Sequence, residues 1–240
     1  MHRLVAKNLK KTIKNKEIVK GVSLELKSQE VVGLLGPNGA GKTTTFYMIC
    51  GLVEPSEGQV MMDEEDITTQ PLHTKAKKGI GYLPQESSIF KELSVEENLI
   101  IAAEANIKDK EKRQEIVDEL LELFGIEPIR HRLGKALSGG ERRRCEIARS
   151  LVIRPKFLLL DEPFAGVDPI AVSDIQKIIN ELKNSGIGIL ITDHNVRETL
   201  QVCDRAYVLK DGAILASGSS QEVAQNPEVR KHYLGEHFKF

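Results

Sequence analysis

The sequence predicts an α/β fold: a mainly parallel sheet core, an antiparallel β subdomain and an inserted helical subdomain. Three observations lead there. Val31-Val32-Gly33-Leu34-Leu35 is an apolar run of strand length, followed by a glycine-rich turn and then by Thr44–Cys50, which lacks Pro and Gly and starts a helix. Two later apolar runs, Phe157–Leu160 and Ile187–Thr192, flank an amphipathic stretch over Ile170–Asn184, the alternation that parallel strands with crossover helices require. Beyond Gln85 the strand pattern gives way to helical periodicity that lasts to about Val152.

Taken in order, residues 3–26 are strand-rich. Leu4, Ala6 and Leu9 mark one run, Ile18-Val19 and the alternating Val22–Leu26 mark the next, and Asn15-Lys16 reads as the turn between them. Pro55-Ser56-Glu57-Gly58 turns the chain into a strand over Gln59–Met62, and residues 63–78 read as loop with a short helix. Gly79–Leu83 is a short strand that Pro84 ends. From Ser94, in a capping box with Glu97, to about His131 the pattern is helical. Ile116, Val117, Leu120, Leu121 and Phe124 recur at helical spacing, and Gly125 is the stop. Ser138 and Glu141 repeat the S-x-x-E pattern and open a helix that runs to about Val152. Asp211-Gly212 between Tyr207–Leu209 and Ile214–Ala216 is a hairpin signal, and Asn226-Pro227 opens a tail helix that Gly235 closes. The expected parts are therefore core and β subdomain at 1–85 and 153–218, a helical subdomain at 86–152 and a helical tail at 219–240.

Composition excludes several classes. The 240 residues suffice for one large domain or two lobes. Lys and Arg total 34 against 35 Asp and Glu, so no basic excess marks a nucleic-acid groove and no nucleic-acid partner is expected. Cys50, Cys145 and Cys203 lie far apart in apolar stretches without a C-x-x-C pair, the pattern of buried thiols in a reducing compartment. No apolar run approaches the ~18 residues of a membrane span, so a cytoplasmic location is expected, with any membrane role through a partner.

The chemistry starts at Gly36-Pro37-Asn38-Gly39-Ala40-Gly41-Lys42-Thr43-Thr44, which fits G-x-x-x-x-G-K-[ST] at every fixed position. A strand–turn–helix junction aims backbone N–H groups and the positive end of the helix dipole at one point, where a polyphosphate is held. Lys42 then reaches the β- and γ-phosphates, and the Thr43 hydroxyl ligates Mg²⁺. A chance glycine-rich turn seldom matches all of this. Asp161 closes an apolar strand, where a carboxylate holds Mg²⁺, commonly through water, and Glu162 beside it projects differently and can polarise an attacking water. Two acids at a strand end could equally start a helix; the upstream loop favours the site. Gln85 and His194 are weak signals singly, but His194 follows Thr192-Asp193 at the same sheet edge, where an imidazole can hydrogen-bond a γ-phosphate. Ser138-Gly139-Gly140 is a second anion-accepting turn at a helix N-terminus. Two such turns in one chain are both used if two copies sandwich nucleotide head to tail.

Together these residues carry a resemblance. Gly36–Thr44, Gln85, Leu137-Ser138-Gly139-Gly140, Leu158–Pro163, Asp168 and His194 resemble, in order and spacing, the Walker A, Q-loop, signature, Walker B, D-loop and H-loop of an ABC-type ATPase subunit. The resemblance spans roughly residues 3–218 and implies the ABC-type P-loop NTPase fold. It implies ATP with Mg²⁺ between two subunits, Ser138 and Gly140 of one facing the phosphate loop of the other. Glu162 is then the catalytic carboxylate, Gln85 a metal- and water-contacting relay, and Asp168 a dimer-interface residue. Longer stretches, Thr43–Met48, Leu137–Arg144, Asp161–Ile170 and Ile191–Leu200, look like the ATPase subunits of lipopolysaccharide export. The ending Tyr233-Leu234-Gly235-Glu236 is similar too, although branched-chain amino-acid importers share a related tail. This implies two copies docked beneath two membrane subunits, peripheral on the cytoplasmic face of a bacterial inner membrane. Import of branched-chain amino acids or another solute is the alternative within the family. Soluble ABC ATPases acting on ribosomes or DNA usually carry two modules or a long coiled-coil insertion, and this chain has neither.

One position departs from the family pattern. ABC ATPases usually stack adenine on an aromatic early in the chain; the alignable residue here is Ile13, so an apolar contact from Ile13, with Ile18 or Val19, must replace stacking. Ile89-Phe90 follows Gln85 in the region where the family receives a coupling helix from a membrane subunit; Phe90 either docks there or packs within its own lobe. The Arg142–Arg144 run, at helical spacing, reads as a solvated face or a set of interface charges.

Overall fold

The alternating residues at the start fold into a long antiparallel hairpin, β1 (Arg3–Ile13) and β2 (Lys16–Lys27). The computed structural model describes residues 1–235 and 238. Lys14 and Asn15 close the hairpin with φ of 46° and 62°, the left-handed pair that follows the twist of the strands. The turn thus sits one residue earlier than the Asn15-Lys16 expectation. Antiparallel β4 (Glu57–Met62) and the two-residue β5 (Glu65–Asp66) complete a four-stranded sheet in the order β2-β1-β4-β5. Polar residues 63–78 hold β5 and a short helix, α2 (Leu72–Lys77).

The larger sheet contains β3 (Val31–Leu35), β6 (Ile80–Leu83), β7 (Phe157–Asp161), β8 (Gly188–Thr192), β9 (Arg205–Lys210) and β10 (Ala213–Ser219). Its order is β10-β9-β3-β8-β7-β6, parallel throughout except for the β9–β10 hairpin at Asp211-Gly212. Strands β3, β7 and β8 are buried along their whole length, which is why they read as unbroken apolar runs rather than alternation. One face of β3 joins the β-subdomain core through Val32 and Leu34 with Phe46, Met48 and Ile49 of α1 (Lys42–Cys50). Ile189 and Ile191 of β8 face the other way, onto α6 (Pro169–Asn184).

The helical lobe is α3 (Val95–Glu104), α4 (Lys110–Leu123) and α5 (Gly139–Leu151). The stretch from Ser94 to His131 is therefore two helices rather than one continuous pattern. Asp109 makes the break: its carboxylate accepts from Glu111 N and Lys112 N and starts α4 afresh. Gly125 stops α4 with φ of 58°, and both Ser94 and Ser138 form the expected capping boxes. After α7 (Val196–Val202) and the last hairpin, the tail is α8 (Ser220–Gln225), α9 (Pro227–Val229) and a π-helical turn over Arg230–Leu234. Val223, Ala224 and Val229 pack on Leu35, Leu200 and Val208, so the tail closes over the end of β3. Glu236, which ends the expected tail motif, lies outside the described residues. All three cysteines are buried free thiols, and burial pushes the Cys145 thiol up to about 12. Among the described residues no helix is long and apolar enough to cross a membrane.

Candidate active site

Every strand of the parallel set delivers its next residue to one sheet edge. Gly36 follows β3, Gln85 follows β6 by way of Pro84, Glu162 follows β7, and Asp193-His194 follow β8.

The phosphate loop needs its glycines for space as well as for φ. A Cβ on Gly36 would sit 2.2 Å from Leu209 O, and one on Gly41, at φ 94°, would sit 2.9 Å from Ile18 O. Gly41 is also the N-cap of α1; it has no side chain to cap with, and the first turn holds no acid. The first N–H groups of α1 are thus left to an anion. Lys42 Nζ donates to Gly36 O at 2.7 Å and Pro37 O at 3.0 Å, which folds the ammonium over the loop, and burial lowers its pKa. Asn38, Gly39 and Thr43 are exposed at the loop mouth; Ala40 is buried, and Pro37 and Thr44 are half-buried.

Asp161 is 2% exposed, and its Oδ2 has no hydrogen-bond partner within the chain. Burial, with repulsion from Glu162 and Asp193, pushes its carboxyl up to about 6. An orphaned anionic oxygen of this kind gains most from a cation. Glu162 sits at φ 48°, a strained region for a non-glycine residue, and Glu162 N donates to Thr192 O at 2.7 Å. That kink separates its carboxylate from that of Asp161. Glu162 Oε2 accepts from Gln85 Nε2 at 2.9 Å and lies 3.1 Å from His194 Nδ1. The structure therefore brings Gln85, Glu162 and His194 to one oxygen, three residues from three different strand ends. Asp193 holds the frame: its Oδ2 accepts from Phe164 N at 2.9 Å and its Oδ1 from Asn195 N at 2.8 Å.

Arg143 corrects the reading of the arginine run. It is 6% exposed, and its guanidinium donates to Asp161 O at 2.9 Å, Glu162 O at 3.0 Å, Pro163 O at 3.3 Å and Pro84 O at 3.0 Å. Its carboxylate partner is Glu146 Oε2 at 3.2 Å, while Glu146 Oε1 accepts from Ser87 Oγ, Ser88 N and Ile89 N. One buried ion pair thus ties α5 to the ends of β6 and β7. The signal available was Glu146 between Cys145 and Ile147-Ala148: a charge on the apolar stripe of a helix needs a partner on that stripe, and Arg143 is three residues back.

Ser138, Gly139 and Gly140 are not at their own chain's phosphate loop; they pack on the segment after β7. A Cβ on Gly140 would sit 2.5 Å from Ala171 Cβ, and one on Gly139 3.3 Å from Gly166 O. Asp168 caps α6, accepting from Ile170 N and Ala171 N at 3.1 and 3.0 Å. Phe90 is 48% exposed rather than packed away. Asn98 clamps its backbone at both N and O, and the Arg149 guanidinium stacks 5.0 Å from its ring centre. Ile13, at the tip of β1, is 46% exposed; Ile18 is half-buried and Val19 fully buried.

Residues 19–165, from β2 through the Walker-B strand, match the family model for the ABC transporter. The chain belongs to the ABC transporter ATP-binding family. Residues 213–239 match a second model, of the branched-chain amino acid ATP-binding cassette transporter. Among curated relatives, the chain is 58% identical to the lipopolysaccharide export system ATP-binding protein LptB of Haemophilus influenzae and 55% identical to that of Escherichia coli strain K12, covering 100% of every chain. Among solved structures it is similar to the ADP conformation of MJ1267, an ATP-binding cassette of an ABC transporter, with TM-score 0.88 and 31% identity over 98% of this chain and 100% of that one. It is also similar to cbiO1 of Clostridium perfringens, with TM-score 0.85 and 32% identity over 95% and 92% of the two chains. This ABC protein is an ATPase of a transporter, and its nucleotide-binding fold is that of the known cassettes.

Proposed function

We propose that the chain is the motor subunit that hydrolyses ATP with Mg²⁺ to power lipopolysaccharide extraction from a bacterial inner membrane toward the outer membrane. The observation that carries this reading is the end-to-end identity with curated LptB proteins. Gly36–Thr44 bind the triphosphate, and Lys42 turns from its loop carbonyls to the β- and γ-oxygens. The orphaned Asp161 oxygen fits a metal role: Asp161 through water, the Thr43 hydroxyl and Gln85 would hold Mg²⁺. Bound there, the ion would supply charge neutralisation between the β- and γ-phosphates. Glu162, held by Gln85 and His194, takes a proton from the attacking water as its oxygen bonds the γ-phosphorus and the bond to ADP breaks.

The second half of the site comes from a second copy. Ser138 caps the 13-residue helix α5 and Gly139 and Gly140 open it with bare N–H groups, yet all three lie away from their own loop. In the homodimer they face the partner's γ-phosphate, with Asp168 at the seam. Adding ATP to a Glu162→Gln chain is expected to give a dimer by light scattering, and adding Ser138→Arg is expected to return it to monomer. A persistent ATP-dependent dimer would refute the sandwich.

Two membrane subunits dock near Phe90 and hold the chain peripherally on the cytoplasmic face. An aromatic half-exposed on a clamped backbone costs little to present and contributes roughly 2 kcal/mol or more in a partner's groove. Phe90→Ala is expected to lower co-purification of the membrane subunits while leaving melting temperature and isolated ATPase nearly unchanged. Equal loss of melting temperature would mean that Phe90 belongs to its own lobe. A second reading, branched-chain amino-acid import, is favoured by the tail match at residues 213–239. Pull-down from solubilised membranes tests both through the identity of the co-purifying subunits.

A further inference from the structure

We propose that the Tyr47 hydroxyl is a positioning group for the metal: it holds the Asp161 carboxylate so that one oxygen is turned toward Mg²⁺ and its water. The inference rests on the metal reading above and is independent of the cargo.

The fold brings the two residues together from separate elements. Thr43 and Tyr47 stand four residues apart on α1 and project from one face of it. Tyr82 of β6 pairs with Leu159 of β7, and Leu159 and Asp161 share one face of their strand. That face lies under α1, because Leu159 and Phe46 belong to one core cluster, with Tyr47 and Tyr82 packed against it. The Phe46 and Tyr82 rings are 6.2 Å apart between centroids. This packing sets the Tyr47 hydroxyl against the Asp161 carboxyl, and the Tyr82 hydroxyl against that of Tyr47. The Tyr47 backbone is fixed as well. Its carbonyl accepts from Gly51 N at 3.1 Å, Leu52 N at 2.9 Å and Val53 N at 3.2 Å, closing the far end of α1.

Chemistry assigns the role. Asp161 is buried and its Oδ2 has no partner. The Arg143 guanidinium is engaged by backbone carbonyls and Glu146 rather than by this carboxylate. Burial raises the Asp161 carboxyl most, and the Tyr47 hydroxyl opposes burial most, ahead of the Arg143 charge. Burial and then the Asp161 charge hold the Tyr47 phenol above its ordinary value, so the hydroxyl stays a donor. An aspartate turns easily about its last torsion. A donor on one oxygen fixes the carboxylate plane and leaves the orphaned Oδ2 to the cation. Helix α1 thus presents both the Thr43 hydroxyl and, one turn on, the group that aims the facing carboxylate. Partners of this kind behind a metal ligand are worth about 10–100-fold in metal affinity.

The test compares the full chain with Tyr47→Phe, which keeps the ring and removes the hydroxyl. Affinity for a non-hydrolysable ATP analogue is measured in EDTA and in saturating Mg²⁺, beside the Mg²⁺ concentration that gives half-maximal ATPase. In EDTA the variant is expected to bind within about twofold of the parent, while its gain in affinity from Mg²⁺ shrinks by about tenfold. Half-maximal Mg²⁺ is expected to rise by a similar factor, and turnover at saturating Mg²⁺ to recover to within a few fold. Melting temperature should stay with the parent's, because the ring still packs. Tyr82→Phe removes the hydroxyl behind Tyr47 and is expected to shift the Mg²⁺ dependence less. A Tyr47→Phe chain with the parent's Mg²⁺ dependence would overturn the inference and leave the metal reading intact. Equal loss of affinity with and without Mg²⁺ would also overturn it, since Tyr47 would then act on the phosphate loop. A Tyr82→Phe effect as large as that of Tyr47→Phe would take the role away from Tyr47. A parent chain whose analogue binding and hydrolysis are indifferent to Mg²⁺ would overturn the metal reading along with the inference.

Discussion

Glu162→Gln is expected to leave ATP affinity within a few fold of the parent and to reduce turnover by about two orders of magnitude or more, the usual worth of a positioned base. The amide keeps the shape of the carboxylate, so the strained turn at φ 48° and the contacts to Gln85 and His194 retain a partner. The phosphate cradle is on a different strand end and is untouched. What is lost is the group proposed to take the proton from water. Steady-state phosphate release, measured beside equilibrium binding of ATP, separates the two effects. Turnover within a few fold of the parent would remove Glu162 from the reaction.

Arg143→Ala is expected to produce the largest loss of stability. It strips the cation from Glu146, which is 3% exposed, and leaves four backbone carbonyls at Pro84, Asp161, Glu162 and Pro163 without their donor. Breaking a buried pair by removing one partner costs about 3–5 kcal/mol. For a chain of this size each kcal/mol lowers the melting temperature by about 2–4 °C, so a fall of about 10 °C is expected. Turnover should fall by at least about tenfold as well, because the carbonyls that Arg143 holds set the backbone of Asp161 and Glu162, and small displacements are costly in catalysis. Arg143→Lys is not expected to rescue it, since a single ammonium cannot span carbonyls from two strand ends. A melting temperature within about 2 °C of the parent would show that the network is dispensable.

These two residues also show where sequence reading succeeds and fails. The loop Gly36–Thr44 was legible because a phosphate cradle is local: its glycines, lysine and hydroxyl must follow one another on a strand-turn-helix. Glu162 and His194 were legible because parallel strands deliver their ends to one edge. Arg143 was not, because its partners are mostly carbonyl oxygens, which every residue carries and which reveal nothing of themselves in a sequence. The break before α4 was written in Asp109, an N-cap that is hard to single out within the charged stretch Lys108–Arg113. The exposure of Phe90 could not be read at all: an aromatic in a loop looks the same whether its lobe closes over it or Asn98 holds it open.

The central claim is that ATP hydrolysis by this chain drives lipopolysaccharide out of the membrane. The most direct measurement places the chain, with its co-purified membrane subunits, in vesicles loaded with lipopolysaccharide and follows release on addition of Mg²⁺ and ATP. The account predicts ATP-dependent release by the parent complex and none by the Glu162→Gln complex. Release that is indifferent to ATP, or an ATP-dependent uptake of branched-chain amino acids with lipopolysaccharide unmoved, would contradict it.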